Sequence, residues 1–234
     1  MSALQIIEST EYGVRSAVLR LEAGEDAPAF VLFPMIHVAE PSFYEEIGRR
    51  LEDCDLVLSE GVRSPTSSLL TSSYRFFADS PRLGLVSQKS MKMGHVADRT
   101  IHADVQGEAF ESRWWRSGTW LRFVVPLFAP LYGLYLRYFG TRRMIARGLG
   151  LNLRRSRADA LRDDDFRELF ALLLDWRDRR LIRVIEQQRS KHRDGEVSIA
   201  VLYGARHMKA VLRHLLDKCG YRVARAEWTT VFEL

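Results

Sequence analysis

Cysteine is scarce in this sequence, since Cys54 and Cys219 are the only two among 234 residues. Each lies beside a predicted strand and is interpreted as a small buried residue, which argues against a disulfide framework as the basis of the fold. The first residues, Met1 to Gln5, also lack the basic and apolar regions of a secretory signal. These absences favour a reducing, cytoplasmic environment.

Several common catalytic signatures are missing as well. The sequence has no GxSxG, P-loop, GxGxxG or CxxC pattern, so elbow-type serine hydrolases, P-loop nucleotide hydrolases and dinucleotide enzymes receive no support. The formal net charge of +5 is spread among acidic residues, without a run of lysines. We therefore expect no nucleic-acid partner.

The sequence does have enough apolar residues, 47% of the total, to build a full core. Short apolar runs alternate with amphipathic segments, which is the pattern of strands followed by helices. We expect one domain over residues 1–234, with a mixed α/β fold, a mostly parallel central sheet flanked by helices, and a helical insertion. The predicted strands cover residues 4–7, 16–21, 29–36, 55–59, 197–202 and part of 221–234. One predicted helix begins at Pro41, and two others cover residues 163–192 and 208–218.

Polar side chains follow three of the predicted apolar strands at the point where each strand ends. They are His37, Glu60 and His207. Right-handed connections through helices make such strands parallel, so their carboxyl ends meet at one edge of the sheet, where α/β proteins bind ligands. Two imidazoles and a carboxylate at that edge indicate either a metal site or an acid/base site.

The residues around these positions resemble a known family. Pro34-Met35-Ile36-His37 and Gly204-Ala205-Arg206-His207, with Leu58-Ser59-Glu60-Gly61 between them, are similar to the two GxxH motifs and the intervening glutamate of the TraB/PrgY/GumN family, which is related to the TIKI metalloproteases. The segment Ala97 to Ile101 is similar to the family's Asp-Arg segment, and Gly220-Tyr221 to its closing motif. The first motif has Pro34 where the family usually has glycine.

The resemblance implies a metal-dependent, peptidase-like site. It assigns His37, Glu60 and His207 as ligands of a divalent ion (Mn²⁺, Co²⁺ or Zn²⁺), and Glu60, Arg99 and His207 as catalytic residues that act on a peptide or another small substrate. Glu60 is either a ligand or the general base. The alternative for Arg99 is a surface salt bridge, because it precedes the short run 100–105 and would lie at the opposite end of a parallel strand.

Residues 112–160 are interpreted as an apolar and basic helical insertion. Within them, residues 114–139 are aromatic and apolar but contain Pro126 and Pro130, so they fall short of the ~20 uninterrupted apolar residues of a spanning helix. Three interpretations remain open: a buried helical hairpin or lid over the site, a homodimer surface, or a peripheral membrane element.

Three functions are compatible with these observations. The first is the metal-dependent hydrolase. In the second, His37 or His207 acts as a base on an ester or amide without a metal. The third is a non-catalytic regulatory protein, cytoplasmic or membrane-associated, that uses residues 114–139 as a contact surface. His102 and Asp104 share a face of the 100–105 run and are interpreted as structural, and His95 is interpreted as a surface residue.

Overall fold

A computed structural model describes residues 5–61, 72–115, 119–154, 174–193 and 195–234. The strands are β1 (Ile7–Ser9), β2 (Gly13–Glu22), β3 (Ala29–Met35), β4 (Val38–Ala39), β5 (Leu56–Ser59), β6 (Val86–Ser87), β7 (Thr100–His102), β8 (Ser198–Gly204) and β9 (Arg222–Glu233). The helices are α1 (Pro41–Glu52), α2 (Ser72–Phe77), α3 (Gly107–Trp114), α4 (Thr119–Phe139), α5 (Arg142–Arg154), α6 (Trp176–Lys191) and α7 (Met208–Cys219). The first part of the predicted helix 163–192 lies outside the described residues.

The sheet has an antiparallel part and a parallel part. β1 and β2 form an N-terminal antiparallel hairpin, and β9 pairs antiparallel along the whole of β2. β2 also pairs antiparallel with β3, which joins the two parts. From there the order β3-β8-β5-β7 is entirely parallel. This confirms the expected mixed α/β fold with a parallel central sheet flanked by helices.

The apolar content of β3 and β8 explains their central position. All residues of β8 after Ser198 are buried, as are all residues of β3 except Val31. Strands covered by helices on both faces need continuous apolar runs, because neither face meets water. The alternating side chains of β3 serve the two faces, so that Phe33 lies in one hydrophobic core and Leu32 in the other.

Helices supply the other half of each core. On one face, α1, whose start at Pro41 was predicted, buries Phe43, Ile47 and Leu51. On the other face, α6 and α7 pack against the sheet and against each other, and bury Leu181, Ile185, Val211 and Leu215 among others. Both helices run antiparallel to β8, one before it and one after it, so they lie side by side and point the same way.

Within the segment predicted as an insertion, residues 112–160, the described residues form the end of α3, the continuous helix α4 and then α5. The interpretation of α4 as a buried hairpin is wrong, because most of its described side chains are exposed and Leu136 is the one large apolar side chain among them that is buried. Eight apolar or aromatic residues are at least 40% exposed: Leu127, Phe128, Leu131, Tyr132, Leu134, Tyr135, Tyr138 and Phe139. No helix within the described ranges is both long and apolar enough to cross a bilayer.

Two glycines in the left-handed conformation allow a test of how the loop before β8 is fixed. Gly195 and Gly220 both have φ of 72°, but a Cβ at Gly195 would overlap the carbonyl oxygen of Glu25, whereas a Cβ at Gly220 would meet open space. We expect Gly220→Ala to cost about 1 kcal/mol of unfolding free energy through backbone strain, and Gly195→Ala to cost clearly more. Denaturant unfolding measures both values; equal losses would contradict the role of the Glu25 contact.

Candidate active site

The three predicted strand-end residues lie at one edge of the sheet. β8 is the middle strand, with Met35 of β3 opposite Gly204 and Ser59 of β5 opposite Leu202. The residues just beyond these strand ends therefore converge, as expected for parallel strands. This edge brings Glu60 and His207 into contact distance, and places His37 beside them.

Glu60 is the centre of the cluster. Its Oε2 accepts the backbone N–H of Gly204 at 2.5 Å, and its Oε1 is paired with Arg177 and lies 3.9 Å from Nε2 of His207. A Cβ at residue 204 would stand 3.0 Å from Oε2 of Glu60. Glycine at this position therefore lets the backbone approach the carboxylate closely.

His207 is buried and held in one orientation. Its Nδ1 lies 2.6 Å from Oδ1 of Asp178, a residue of α6, and the ring of Tyr203 meets it edge to face at 5.1 Å. Because an ionised carboxylate only accepts hydrogen bonds, Nδ1 carries the proton and donates it to Asp178. The lone pair of a neutral His207 is then on Nε2, the atom directed towards Glu60.

His37 is also held by neighbouring side chains, but it lies farther from Glu60 than His207 does. It is half-buried, its Nδ1 lies 3.3 Å from Oε1 of Gln88, and its ring packs against Tyr74 with centroids 5.0 Å apart. The pairing of β4 with β6 brings Gln88 to this position. Within the described ranges, the donor atoms of His37, Glu60 and His207 do not all come within 4.8 Å of one another. The third predicted ligand is thus near the other two but not at a distance that one ion would share.

Arg177, from the first turn of α6, joins two carboxylates. Its guanidinium binds Asp104 through both Nε (3.0 Å) and Nη2 (2.6 Å), and Nη2 also pairs with Glu60. Asp104 in turn accepts the backbone N–H groups of Gly61 at 3.1 Å and Val105 at 2.8 Å. The Arg177 side chain is only 13% exposed. Buried, bidentate pairs of this kind fix geometry far better than surface ion pairs do.

These contacts determine the charge state of the site. Burial acts to raise the pKa of Glu60, but the positive field of Arg177, with smaller effects from His207 and His37, lowers the pKa to about 2. Burial acts to lower the pKa of Arg177, yet Glu60 and Asp104 raise it overall. With Asp178, the cluster holds three carboxylates against one guanidinium, so its described residues carry a surplus of two negative charges when both imidazoles are neutral.

The structure does not bring Arg99 to this site. β7 is parallel to β5, with Thr100 opposite Val57, so the residue before Thr100 lies at the amino edge of the sheet. The Arg99 side chain instead donates to the backbone carbonyl of Glu52 at 2.9 Å. Arg99, which the family resemblance assigned as catalytic, therefore lies at the opposite edge of the sheet from Glu60, and the buried guanidinium beside Glu60 belongs to Arg177.

The other polar residues with a predicted role are His95, His102 and Asp104, and the structure gives a position for each of them. His95 is exposed, as predicted, and Nδ1 of His102 lies 3.2 Å from the hydroxyl of Ser59, which is a structural contact. Asp104 makes structural contacts as well, because it anchors Arg177 beside Glu60.

Sequence reasoning missed Arg177 and Asp178, although a signal was present. Residues 174, 178, 181 and 185 follow helical spacing along the buried stripe of the predicted helix, and Asp178 occupies one of those apolar positions. Arg177 stands four residues before the buried Leu181. Charged residues inside an apolar stripe are rarely buried without a partner, so their presence predicts a buried polar contact.

The low pKa of Glu60 predicts how stability depends on pH. A carboxyl whose folded pKa lies below its unfolded value stabilises the fold above the unfolded pKa, and this contribution is lost as pH falls towards the folded pKa. As the pH falls from 4.5 to about 2, protonation of Glu60 should lower the free energy of unfolding of the parent. A Glu60→Gln variant lacks this carboxylate at every pH, so it should lack this contribution from the start. Denaturant titrations across this window should show the two converging, whereas the exposed control Glu11→Gln should follow the parent. A constant difference would contradict the ionised state of Glu60.

Comparison with known protein families, curated proteins and solved structures finds no match to this chain.

Proposed function

We propose that this chain is a metal-dependent hydrolase that acts on amide bonds such as peptide bonds, and that its active site lies where Glu60 and His207 meet. The observation that carries the proposal is the orientation of His207, whose Nδ1 is held by Asp178 at 2.6 Å while Nε2 is directed towards Glu60 at 3.9 Å. A histidine with one nitrogen fixed by a carboxylate is the usual form of a metal ligand or of a catalytic base.

A divalent ion suits the pair of Glu60 and His207. Imidazole nitrogen and carboxylate oxygen are accepted ligands of Mn²⁺, Co²⁺ and Zn²⁺. The surplus of two negative charges among the described residues also favours a divalent cation. His37 is farther from the pair than one shared ion allows. The proposal therefore rests on Glu60 and His207, with His37 as the neighbouring third member of the predicted set.

Each residue has a defined part in this scheme. When bound, the ion supplies an activated water molecule and polarises the substrate carbonyl. His207 and Glu60 would hold it, Asp178 fixes the plane of the imidazole, and Arg177 keeps Glu60 ionised. Gly204 leaves room for Glu60 beside β8, and its N–H sets the direction of the carboxylate.

A metal-independent hydrolase is the second candidate, and one observation favours it. Both oxygens of Glu60 already have partners, Arg177 and the N–H of Gly204, so the carboxylate needs no ion to be satisfied. In that case Nε2 of His207 accepts a proton from water, Asp178 stabilises the resulting imidazolium, and Glu60 adds a second negative charge near it.

Metal content and activity on a peptide library test the proposal and separate the two candidates. We expect the purified protein to bind a divalent ion at this site, and His207→Ala and Glu60→Gln to lose one equivalent of metal and at least ~100-fold in activity, the lower end of the effect of a positioned acid or base. Arg99→Ala serves as the control and should retain activity, since Arg99 lies at the other edge.

The possible outcomes are distinct. Activity that survives chelation but disappears in His207→Ala would favour the metal-independent mechanism. Full activity in both His207→Ala and Glu60→Gln, or a loss in Arg99→Ala alone, would overturn the placement of the site. A protein that hydrolyses no peptide or ester and binds no ion would leave only the regulatory alternative.

We also propose that α4 is a peripheral membrane contact, because its exposed face combines aromatic and apolar side chains with the nearby cations Arg143 and Arg147. Flotation with anionic phospholipid vesicles tests this role. The parent should float, the double variant Phe128→Glu/Leu131→Glu should not, and neutral vesicles should retain less of the parent. A parent that stays at the bottom of the gradient would remove the membrane role.

A further inference from the structure

A second group of metal-ligating side chains lies between α6 and α7, away from the Glu60 site. Oε1 of Glu186 is 2.6 Å from Nε2 of His214 and 3.2 Å from Sγ of Cys219, and those last two atoms are 3.5 Å apart. This is the one group of three such donors within 4.8 Å of one another in the described part of the chain. Three different donor atoms thus surround one point.

The geometry of His214 distinguishes this group from a catalytic triad. In a Cys-His-carboxylate triad, one ring nitrogen faces the nucleophile and the other faces the carboxylate. Here the same nitrogen, Nε2, faces both Cys219 and Glu186. A proton relay through the ring is therefore absent, whereas convergence on a common centre is what a bound cation requires.

The second oxygen of Glu186 is already fixed. Arg189, one turn further along α6, donates to Oε2 at 2.8 Å and 3.2 Å. This leaves Oε1 directed towards His214 and Cys219, so the carboxylate is held in place by a residue outside the cluster. Such supporting hydrogen bonds commonly orient metal ligands.

The spacing is close to that of a zinc site. With Zn–S near 2.3 Å and Zn–N and Zn–O near 2.0–2.2 Å, tetrahedral ligand atoms stand roughly 3.3–3.7 Å apart. The separation of Cys219 from His214, 3.5 Å, lies inside this range, and that of Cys219 from Glu186, 3.2 Å, lies about 0.1 Å below it. The distance from Glu186 to His214, 2.6 Å, requires an opening of about 0.7 Å. The side chain of Glu186 is 34% exposed and that of His214 is 16% exposed, so rotamer adjustment is possible and water can reach a fourth position.

We infer that Glu186, His214 and Cys219 form a second metal site, which takes a thiophilic divalent cation of the Zn²⁺ type with water as fourth ligand. The Cys219 thiol loses its proton to solvent on binding, because the thiolate is the ligand. The prediction that Cys219 is only a small buried apolar residue is wrong, since it is half-buried and in contact with two polar groups.

The position of this site gives it a structural role. α6 carries Asp178 in its first turn, and α7 begins directly after His207. Glu186 is eight residues beyond Asp178 and His214 is seven beyond His207, which corresponds to about 12 Å and 10 Å along the two parallel helices. A cation bound by these three side chains links α6 to α7 and so fixes Asp178 opposite His207. The metal site itself does not depend on the proposed hydrolase activity.

Cobalt(II) titration of the reduced full-length protein tests the inference, because thiolate ligation gives a sulfur-to-cobalt charge-transfer band that the sulfur-free Glu60 site does not. We expect Co²⁺ to produce the band, with an amplitude that corresponds to one thiolate-bound ion per chain, in the parent, in Cys54→Ser and in His207→Ala. Cys219→Ser should abolish it, and His214→Ala should weaken binding at least tenfold. Zn²⁺ should displace the cobalt and slow alkylation of Cys219 in the unaltered protein.

Each contrary result is informative. Absence of the band in the parent, together with an alkylation rate that Zn²⁺ leaves unchanged, would overturn the site, and the alkylation arm does not depend on whether any variant folds. Persistence of the band in Cys219→Ser would also overturn it. Loss of hydrolytic activity in His207→Ala with the band intact would mean that the two sites are separate, so a failure of one proposal is not mistaken for a failure of the other.

Discussion

The candidate active site depends on one guanidinium that lies between two buried carboxylates. Without Arg177, Glu60 and Asp104 would be two negative charges in a largely dehydrated environment, where mutual repulsion and desolvation are costly. With it, Glu60 remains ionised and is turned towards Gly204 and His207. The position of Arg177 in turn depends on the packing of α6 against the sheet through residues such as Leu181 and Ile185. The apolar core and the charged site are therefore parts of one arrangement.

Much of this arrangement could be predicted from local sequence patterns. Continuous apolar runs identify β3, β5 and β8, and the rule that parallel strands end at one edge places His37, Glu60 and His207 together. The rule gives the edge but not the distances, because those depend on loops and side-chain partners. Gln88 and Tyr74 hold His37 away from the other two, and neither residue lies in a strand that carries the motif.

The errors share a physical cause. Arg99 was assigned from its place in a motif, but a residue just before a strand and a residue just after one lie at opposite edges of a parallel sheet. Asp178 and Arg177 were not singled out within the predicted helix 163–192, although their spacing places them on its buried side. Average helix polarity conceals single charged positions, whereas the position of each charge relative to the apolar stripe would have revealed them.

The central position of β8 affects how the protein can be assembled. β3 and β5 are close in sequence yet never pair with each other in the sheet; each pairs with β8, which comes much later in the chain. The hydrogen bond from Gly204 to Glu60 spans 144 residues. During synthesis, the inner edges of the two earlier strands therefore stay unpaired until β8, which begins only at Ser198 of 234 residues, has been made. Contacts of such long range fold slowly, and unpaired edges of this kind promote aggregation, so the strand that completes the active site also covers the inner edges of β3 and β5.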